Sequence, residues 1–462
     1  VIHLRSYQQQ AIEDIRAAFR EARRVLLVSP TGSGKTVMFS YMASAVRAKN
    51  RKVYVLVHRE ELLEQVCHTL DAFDVHYGVI APGRPPRMSL VQVASVRTML
   101  NRIAAYPTPD MVIVDEAHHA TKGSTWGRVL QQWPSSYVLG VTATPIRLDG
   151  KPLTGHFDRL VLGPTTADLM ASGDLSKYIM YAPPVAIGRL KMRMGDYAHG
   201  DLNREMDKPE LVGNAVEHYK ALAAGKRALA FCVSLDHAAN VERAFTAAGF
   251  RAARIDGGME RGERRALVEK FSRGSVQVLT SCELVSGGFG LTSIEVGILM
   301  RPTASLSLYL QQVGRALRKF PGKERALILD HAGNSGIHGL PDDDREWSLE
   351  EQDESARKKK AAERVAGLRR CGGCFAYVKG GAMDCQWCGW LFPVESREIK
   401  ERAGELIAVS EDIKPKRSAE SIAKSREVGM AKTHEELLKI AAERGYKPGW
   451  AAHILAARRG AR

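Results

Sequence analysis

Two parallel-sheet α/β domains in tandem, followed by a small four-cysteine module and a helical tail, are what this sequence of 462 residues predicts. Three observations carry that expectation. Short apolar runs without polar alternation, RVLLV (24–28), VYVLV (53–57), MVIV (111–114) and YVLGV (137–141), recur between longer helical stretches. The same rhythm restarts with ALAFCV (228–233), VQVLT (276–280), VGILM (296–300) and ALIL (326–329). Such runs are strands covered on both faces, as in parallel sheets flanked by helices. A chain of this length also exceeds a single ordinary core.

The elements follow in order. In YQQQAIEDIRAAF, Ile12, Ile15 and Phe19 share one face at helical spacing. RVLLV then runs into VSPTGSGKT (28–36), and TVMFSYMASAVRA continues as a helix pattern. Strand, loop and helix in that order are the context of a phosphate-binding loop, G-x-x-x-x-G-K-S/T, with Ser29 at the first glycine position. Ser29 there needs either a backbone angle open to a non-glycine residue or a reshaped loop. Gly32 and Gly34 allow close backbone approach to phosphate at a helix N-terminus, and Pro30, Thr31 and Ser33 complete the loop. Lys35 is expected to reach the β- and γ-phosphates of ATP and Thr36 to bind Mg²⁺. The bland alternative is a Gly-Ser turn with an incidental lysine.

MVIV delivers Asp115 and Glu116 to a strand's carboxyl end, where parallel sheets bind ligands. Asp115 is expected to hold Mg²⁺ and Glu116 to deprotonate the attacking water. His118 and the hydroxyls of Thr142 and Thr144 in VTATP are candidates for coupling that site to the second domain, although such residues are more often packing or turn residues. In QQVGRALR, Gln311, Arg315 and Arg318 belong to one helix, with the two arginines on one face. Arginines offered across a cleft stabilise charge on a transferring phosphoryl group.

Seven cysteines, three scattered and four clustered, argue against a disulfide framework. Cys371, Cys374, Cys385 and Cys388 follow C-x2-C-x10-C-x2-C, the spacing of two knuckles that close around one Zn²⁺. The formal charge of +15 favours a polyanionic partner. No apolar stretch approaches the roughly 18 to 20 residues of a membrane span, and the N-terminus has no signal-peptide pattern, so a cytoplasmic protein with no membrane partner is expected.

Taken together, SPTGSGKT, VLVHREELLEQ, DEAH, VTATP and QQVGRALR resemble motifs I, Ia, II, III and VI of the superfamily 2 helicases with two RecA-like domains. LRSYQQQAI, RPTASLSLYLQQVGRALR and LDHAGN followed by DDDREWSL are most similar to the RadD-type DNA-repair ATPases and their phage relatives, which carry a four-cysteine module behind the core. The resemblance implies that Gln8, with Arg5 beside it, reads adenine. It also implies that Arg59, Ser95, Arg97 and Ser234 line a nucleic-acid-binding surface. The motif V position departs from the family, with Gly287, Gly288, Phe289 and Gly290 where relatives carry E-G-F-D, which puts tight coupling of hydrolysis to movement in doubt.

The expected layout is an ATP-binding domain (1–163), a connection (164–206), a second RecA-like domain (207–345), a charged linker (346–368), a zinc ribbon (369–392) and a basic helical tail (393–462). The expected function is a DNA-dependent ATPase, a helicase or translocase of repair or recombination, with a repair or replication protein as a further partner through the ribbon or tail. An RNA helicase and a nucleotide-gated clamp with little translocation remain the alternatives.

Overall fold

The computed structural model describes residues 3–120, 123–146, 153–182, 192–193, 196–197, 206–207, 209–282, 291, 293–350, 368–371, 376–379, 382–392, 431, 433–446 and 449–452. The motif V glycines and Cys374 lie outside them. The first sheet contains β1 (Arg24–Val28), β2 (Val53–Val57), β3 (Gly78–Ile80), β4 (Val91–Ser95), β5 (Met111–Asp115), β6 (Tyr137–Thr142) and β7 (Arg159–Leu162), in the order β3-β4-β2-β5-β6-β1-β7. Every pairing in it is parallel. Period-two alternation sends Val25 and Leu27 to one face and Leu26 and Val28 to the other. One face packs against Ile12, Ile15, Phe39, Leu63 and Val66 from three helices, and the other against Trp126, Val129 and Trp133.

Register places the chemistry. Val28 pairs with Thr142, and Asp115 pairs with Val141. The loop after β1, the carboxylates after β5 and the threonines after β6 therefore leave the sheet along one edge.

The second sheet contains β8 (Lys177–Tyr181), β11 (Ala228–Cys232), β12 (Ala252–Ile255), β13 (Val278–Cys282), β14 (Val296–Leu299) and β15 (Arg325–Asp330), in the order β12-β13-β11-β14-β15-β8 and parallel throughout. Between β8 and β11 lies a two-stranded hairpin, β9 (Met192–Arg193) and β10 (Asp196–Tyr197). β8 falls inside the stretch expected to be a connection, so the second sheet begins before residue 207. Its core includes an aromatic cluster in which Tyr219 meets Phe245 and Phe250 edge-on at 5.4 and 5.0 Å.

One further difference from the sequence reading stands out. Trp347 and Leu349, at the start of the expected solvated linker, are packed against the apolar cluster on the second face of the first sheet. The cysteine module is built on an antiparallel pair, β16 (Leu368–Arg370) and β17 (Tyr377–Lys379), and Ala376 bridges to Tyr181 at the open edge of β8. The Arg325 guanidinium lies 5.5 Å from the centre of the Trp387 ring, fastening the module to that edge.

The C-terminal unit, Val394–Arg462, is a separate compact body. Within it the helix His434–Glu443 opens on a capping box, in which Thr433 Oγ1 accepts from the Glu436 N–H and Glu436 Oε2 accepts from the Thr433 N–H. Leu437 and Ile440 on its apolar face share a small cluster with Ala431 and Ala451.

Phe245 is fully buried beneath the second sheet. Phe245→Ala should lower stability by about 3–5 kcal/mol, read as a fall in the urea midpoint.

Candidate active site at the domain cleft

Ser29 meets no steric obstacle. The loop's left-handed residues are Gly32 (φ +93°) and Gly34 (φ +79°), whereas the described non-glycine residues with positive φ are Asn50, Asp74 and Glu116. Ser29 is buried; its N–H donates to the Thr142 carbonyl at 3.0 Å and its Oγ lies 2.7 Å from Ser33 Oγ. A serine here braces the loop across its own turn.

Gly34 caps the helix Lys35–Arg47. Lys35 Nζ donates to the carbonyls of Ser29 (2.9 Å) and Pro30 (3.0 Å). Burial pulls its pKa down, against the pull of Glu116 and Asp115 in the other direction. Thr36 Oγ1 accepts from Gln65 Nε2 at 3.0 Å, a partner that sequence reasoning did not single out although it ends the run VLVHREELLEQ.

Both residues assigned to adenine lie beside this loop. Gln8 Nε2 donates to the Ser33 carbonyl at 3.2 Å, and its Oε1 accepts from the Arg5 N–H at 3.0 Å. Tyr7 Oη adds a second donor to the same carbonyl at 2.9 Å. The Arg5 guanidinium forms an ion pair with Asp174 at 2.8 Å.

Asp115 ends β5, buried, with Oδ1 accepting the Glu116 N–H at 3.0 Å. Glu116 itself is held at φ +51°, a left-handed conformation that costs roughly 1–2 kcal/mol for a residue with a β-carbon. Burial and the neighbouring Glu116 charge push the Asp115 carboxyl up to about 7. Burial raises Glu116 as well, opposed by Lys35, Arg315 and Arg59. Glu116 Oε2 is buried without a hydrogen-bond partner, 3.4 Å from His118 Nδ1.

His118 Nδ1 is also 3.0 Å from Thr142 Oγ1. The single hydroxyl proton of Thr142 is committed to the Thr144 carbonyl at 2.8 Å, so the proton on this contact belongs to Nδ1. Thr144 Oγ1 in turn donates to Ser307 Oγ at 2.6 Å, in the second domain. A buried series thus runs from Glu116 through His118, Thr142 and Thr144 to Ser307. Ser307 was invisible in the sequence, since one hydroxyl inside an apolar helix carries no spacing signal.

The second domain contributes the helix Leu306–Ala316, which holds Gln311, half-buried, and Arg315, buried. Arg318 follows just beyond its end. A β-carbon on Gly314 would lie 2.6 Å from Thr31 Cβ, and one on Gly32 would lie 3.5 Å from Arg318 Cγ. The helix therefore sits directly on the loop. Burial draws the Arg315 pKa down to about 9, and burial lowers that of Arg318. Arg315 Nη1 and Arg318 Nε are buried without hydrogen-bond acceptors.

The four residues assigned to nucleic acid lie at the carboxyl ends of strands. Arg59 caps the helix Glu60–Ala72 after β2, half-buried and close enough to Glu116 to favour its charged form. Ser95 caps the helix Val96–Arg102 after β4, and Arg97 is exposed. Ser234 caps the helix Leu235–Ala247 after β11, its Oγ accepting from the His237 N–H at 3.0 Å. In the cysteine module the ligand atoms of Cys371, Cys385 and Cys388 lie within 4.8 Å of one another, with 3.5 Å between the sulfurs of Cys371 and Cys388.

Three histidines cluster behind the carboxylates. His119 lies 5.4 Å from His58 and 4.1 Å from His118 between ring centres. Burial pulls His58 and His118 down to about 4 and His119 to about 3. The unfolded chain then binds more protons than the native one below about pH 6.5, so their contribution to stability is complete above that value and is lost as pH falls toward 4. The protein should therefore be less stable at about pH 5.5 than at about pH 7.5, and urea midpoints at the two values measure the loss.

Residues 1–147 match the family described as "Type III restriction enzyme, res subunit", and residues 208–320 match "Helicase conserved C-terminal domain". The chain is 31% identical over 392 residues to the "51.5 kDa protein" of a Lactococcus phage (isolate 7-9), covering 85% of this chain and 83% of that one. It is 29% identical over 359 residues to the Saccharomyces cerevisiae protein named "Putative ATP-dependent helicase IRC3", covering 72% of this chain and about half (52%) of that protein. In fold it is similar to "ATP-dependent Type ISP restriction-modification enzyme LlaBIII bound to DNA", with a TM-score of 0.54 and 16% identity, over 79% of this chain and 30% of that one. With two tandem RecA-like domains and both family matches, the chain belongs to the superfamily 2 helicases, enzymes that hydrolyse ATP.

Proposed function

We propose that this helicase is a DNA-dependent ATPase of the RadD-like kind, which couples ATP hydrolysis to movement on or remodelling of DNA in repair or recombination. The observation that carries the catalytic part is a set of buried polar atoms without partners on two sides of one cleft: Glu116 Oε2 from the first domain, Arg315 Nη1 and Arg318 Nε from the second. Buried groups of this kind are costly unless a ligand answers them. Two guanidiniums facing a phosphate-type loop suit the terminal phosphates of ATP.

Each residue then has a task. Lys35 exchanges its loop carbonyls for phosphate oxygens, and Glu116, whose Oε2 is buried without a hydrogen-bond partner, takes a proton from the attacking water. Arg315 and Arg318 stabilise charge on the transferring group, with Gln311 on the same helix. Thr36 and Asp115 form a donor pair suited to Mg²⁺, which when bound neutralises charge on the β- and γ-phosphates. Gln8 and Arg5 read the base, and His118, Thr142 and Thr144 carry the state of Glu116 to the second domain. Arg59, Ser95, Arg97 and Ser234 hold the nucleic-acid backbone.

DNA is favoured over RNA by the match of residues 1–147 to the restriction-enzyme family. Zinc is favoured by the thiols: a tetrahedral site with bonds near 2.3 Å has sulfur separations of about 3.8 Å, close to the Cys371–Cys388 spacing. Cys374, outside the described residues, supplies the fourth ligand by its place in the motif.

The deciding experiment is ATP turnover with single-stranded DNA, duplex DNA and RNA, followed by unwinding of a tailed duplex. Lys35→Ala should abolish DNA-stimulated turnover while leaving thermal stability and metal content unchanged; stimulation of the natural sequence by RNA alone would defeat the DNA assignment. Elemental analysis of purified protein should find zinc, and Cys385→Ser should lose it.

A further inference from the structure

Two stretches of chain link the domains, and they run side by side. The first is the direct connection from β7 to β8. The second begins after the helix Asn334–His338, where the chain is anchored on the second domain and then returns to the first. The Tyr178 hydroxyl bonds to the Asp342 carboxylate. The Arg345 guanidinium folds back on its own turn, donating to the carbonyls of His338 (3.2 Å), Leu340 (2.6 Å) and Asp343 (2.9 Å). Four residues later the Leu349 carbonyl accepts from the Leu153 and Thr154 N–H groups of the first domain at 2.9 and 3.1 Å.

Trp347 lies between these anchors. Its ring packs against the first-domain cluster that holds Leu26, Val28 and Phe157, and also against the second-domain cluster that holds Leu306, Val313 and Leu317. A cavity of about 160 Å³ is lined by Trp347 and Arg345 from this strap, by Gly163 and Pro164 from the direct connection, and by Thr31 and Gly314 where the catalytic helix meets the loop. Both links and the catalytic contact therefore enclose one small space.

The mechanical consequence follows from chain geometry. Two bodies joined by one flexible link turn about several axes, whereas two adjacent links leave chiefly one. The seven residue-to-residue steps from Asp342 to Leu349 span at most about 25 Å when fully extended, so the strap also limits how far the domains part. We propose that residues 342–349 form a second hinge strand, in which Trp347 is a positioning residue for ATP hydrolysis. It touches no reacting atom; it acts by holding Arg315 and Arg318 in line with the phosphate-binding loop. The proposal rests on the reading of Arg315 as the group that stabilises charge on the phosphoryl group.

The test is DNA-stimulated ATP turnover by Trp347→Ala, Trp347→Phe and an insertion of two glycines between Arg345 and Glu346, each with and without Arg315→Ala. The insertion lengthens the strap while keeping every side chain, so it remains informative where Trp347→Ala fails to fold. Both loosened variants should lose roughly 10- to 100-fold in kcat with KM for ATP within about twofold, and Trp347→Phe should recover most of the loss. Within Arg315→Ala the same changes should cost markedly less, because only Arg318 is left to be positioned. Natural kcat in the insertion variant, or an equal fold-loss in both backgrounds, overturns the positioning role. Natural turnover in Arg315→Ala alone would instead overturn the reading beneath it.

Discussion

The contact on which the rest of the site depends is the seat of the helix Leu306–Ala316 on the loop after β1. It is possible only because position 314 carries no side chain: a β-carbon there would lie 2.6 Å from Thr31 Cβ. Backbone-level approach brings Arg315, the next residue, into a dry cleft opposite Glu116. Taking guanidiniums out of water is costly, and burial accordingly lowers both arginine pKa values. Arginine still keeps its charge where lysine would surrender it, which is why this side chain suits a desolvated position against the loop.

The two ends of the cleft are closed by different kinds of interaction. At the β7 end the links are covalent. Four strands away across the first sheet, beyond β2, the helix Glu60–Ala72 meets the second domain through ion pairs, Glu61 with Arg264 at 2.7 Å and Glu60 and Glu64 with Arg261. The Arg261 pairs are exposed, contribute about 0–1 kcal/mol each and weaken with salt, whereas the Glu61–Arg264 pair is part-buried. The covalent end fixes an axis, and the ionic end yields when the domains rotate about it.

Much of this was legible before any coordinates. Strands buried on both faces announce themselves as apolar runs, and β1, β2, β5, β6, β11 and β15 were all visible in that way. Edge strands were not, because they are covered on fewer sides and carry mixed residues: β12 contains Arg254, and β8 begins with an exposed lysine. The loop, the carboxylates and the paired arginines were found because their chemistry demands fixed spacing. Gln65 and Ser307 act through contacts 29 and 163 residues apart in sequence, and no local pattern encodes such a meeting. Trp347 and Leu349 were hidden by charge, since two apolar residues behind three consecutive aspartates give no periodicity to read.

The hydroxyl pair of Ser29 and Ser33 has a thermodynamic consequence. A glycine at position 29 would leave the loop with more conformations to lose when it closes around an anion, because glycine gives up more backbone entropy than any other residue. Here one turn is already pinned by a 2.7 Å bond between two side chains and by the Ser29 N–H on the Thr142 carbonyl. The anion cradle is thus preorganised, and less of the binding free energy is spent on ordering it. Because the same carbonyl belongs to the last residue of β6, the shape of the loop and the position of that strand end are set together.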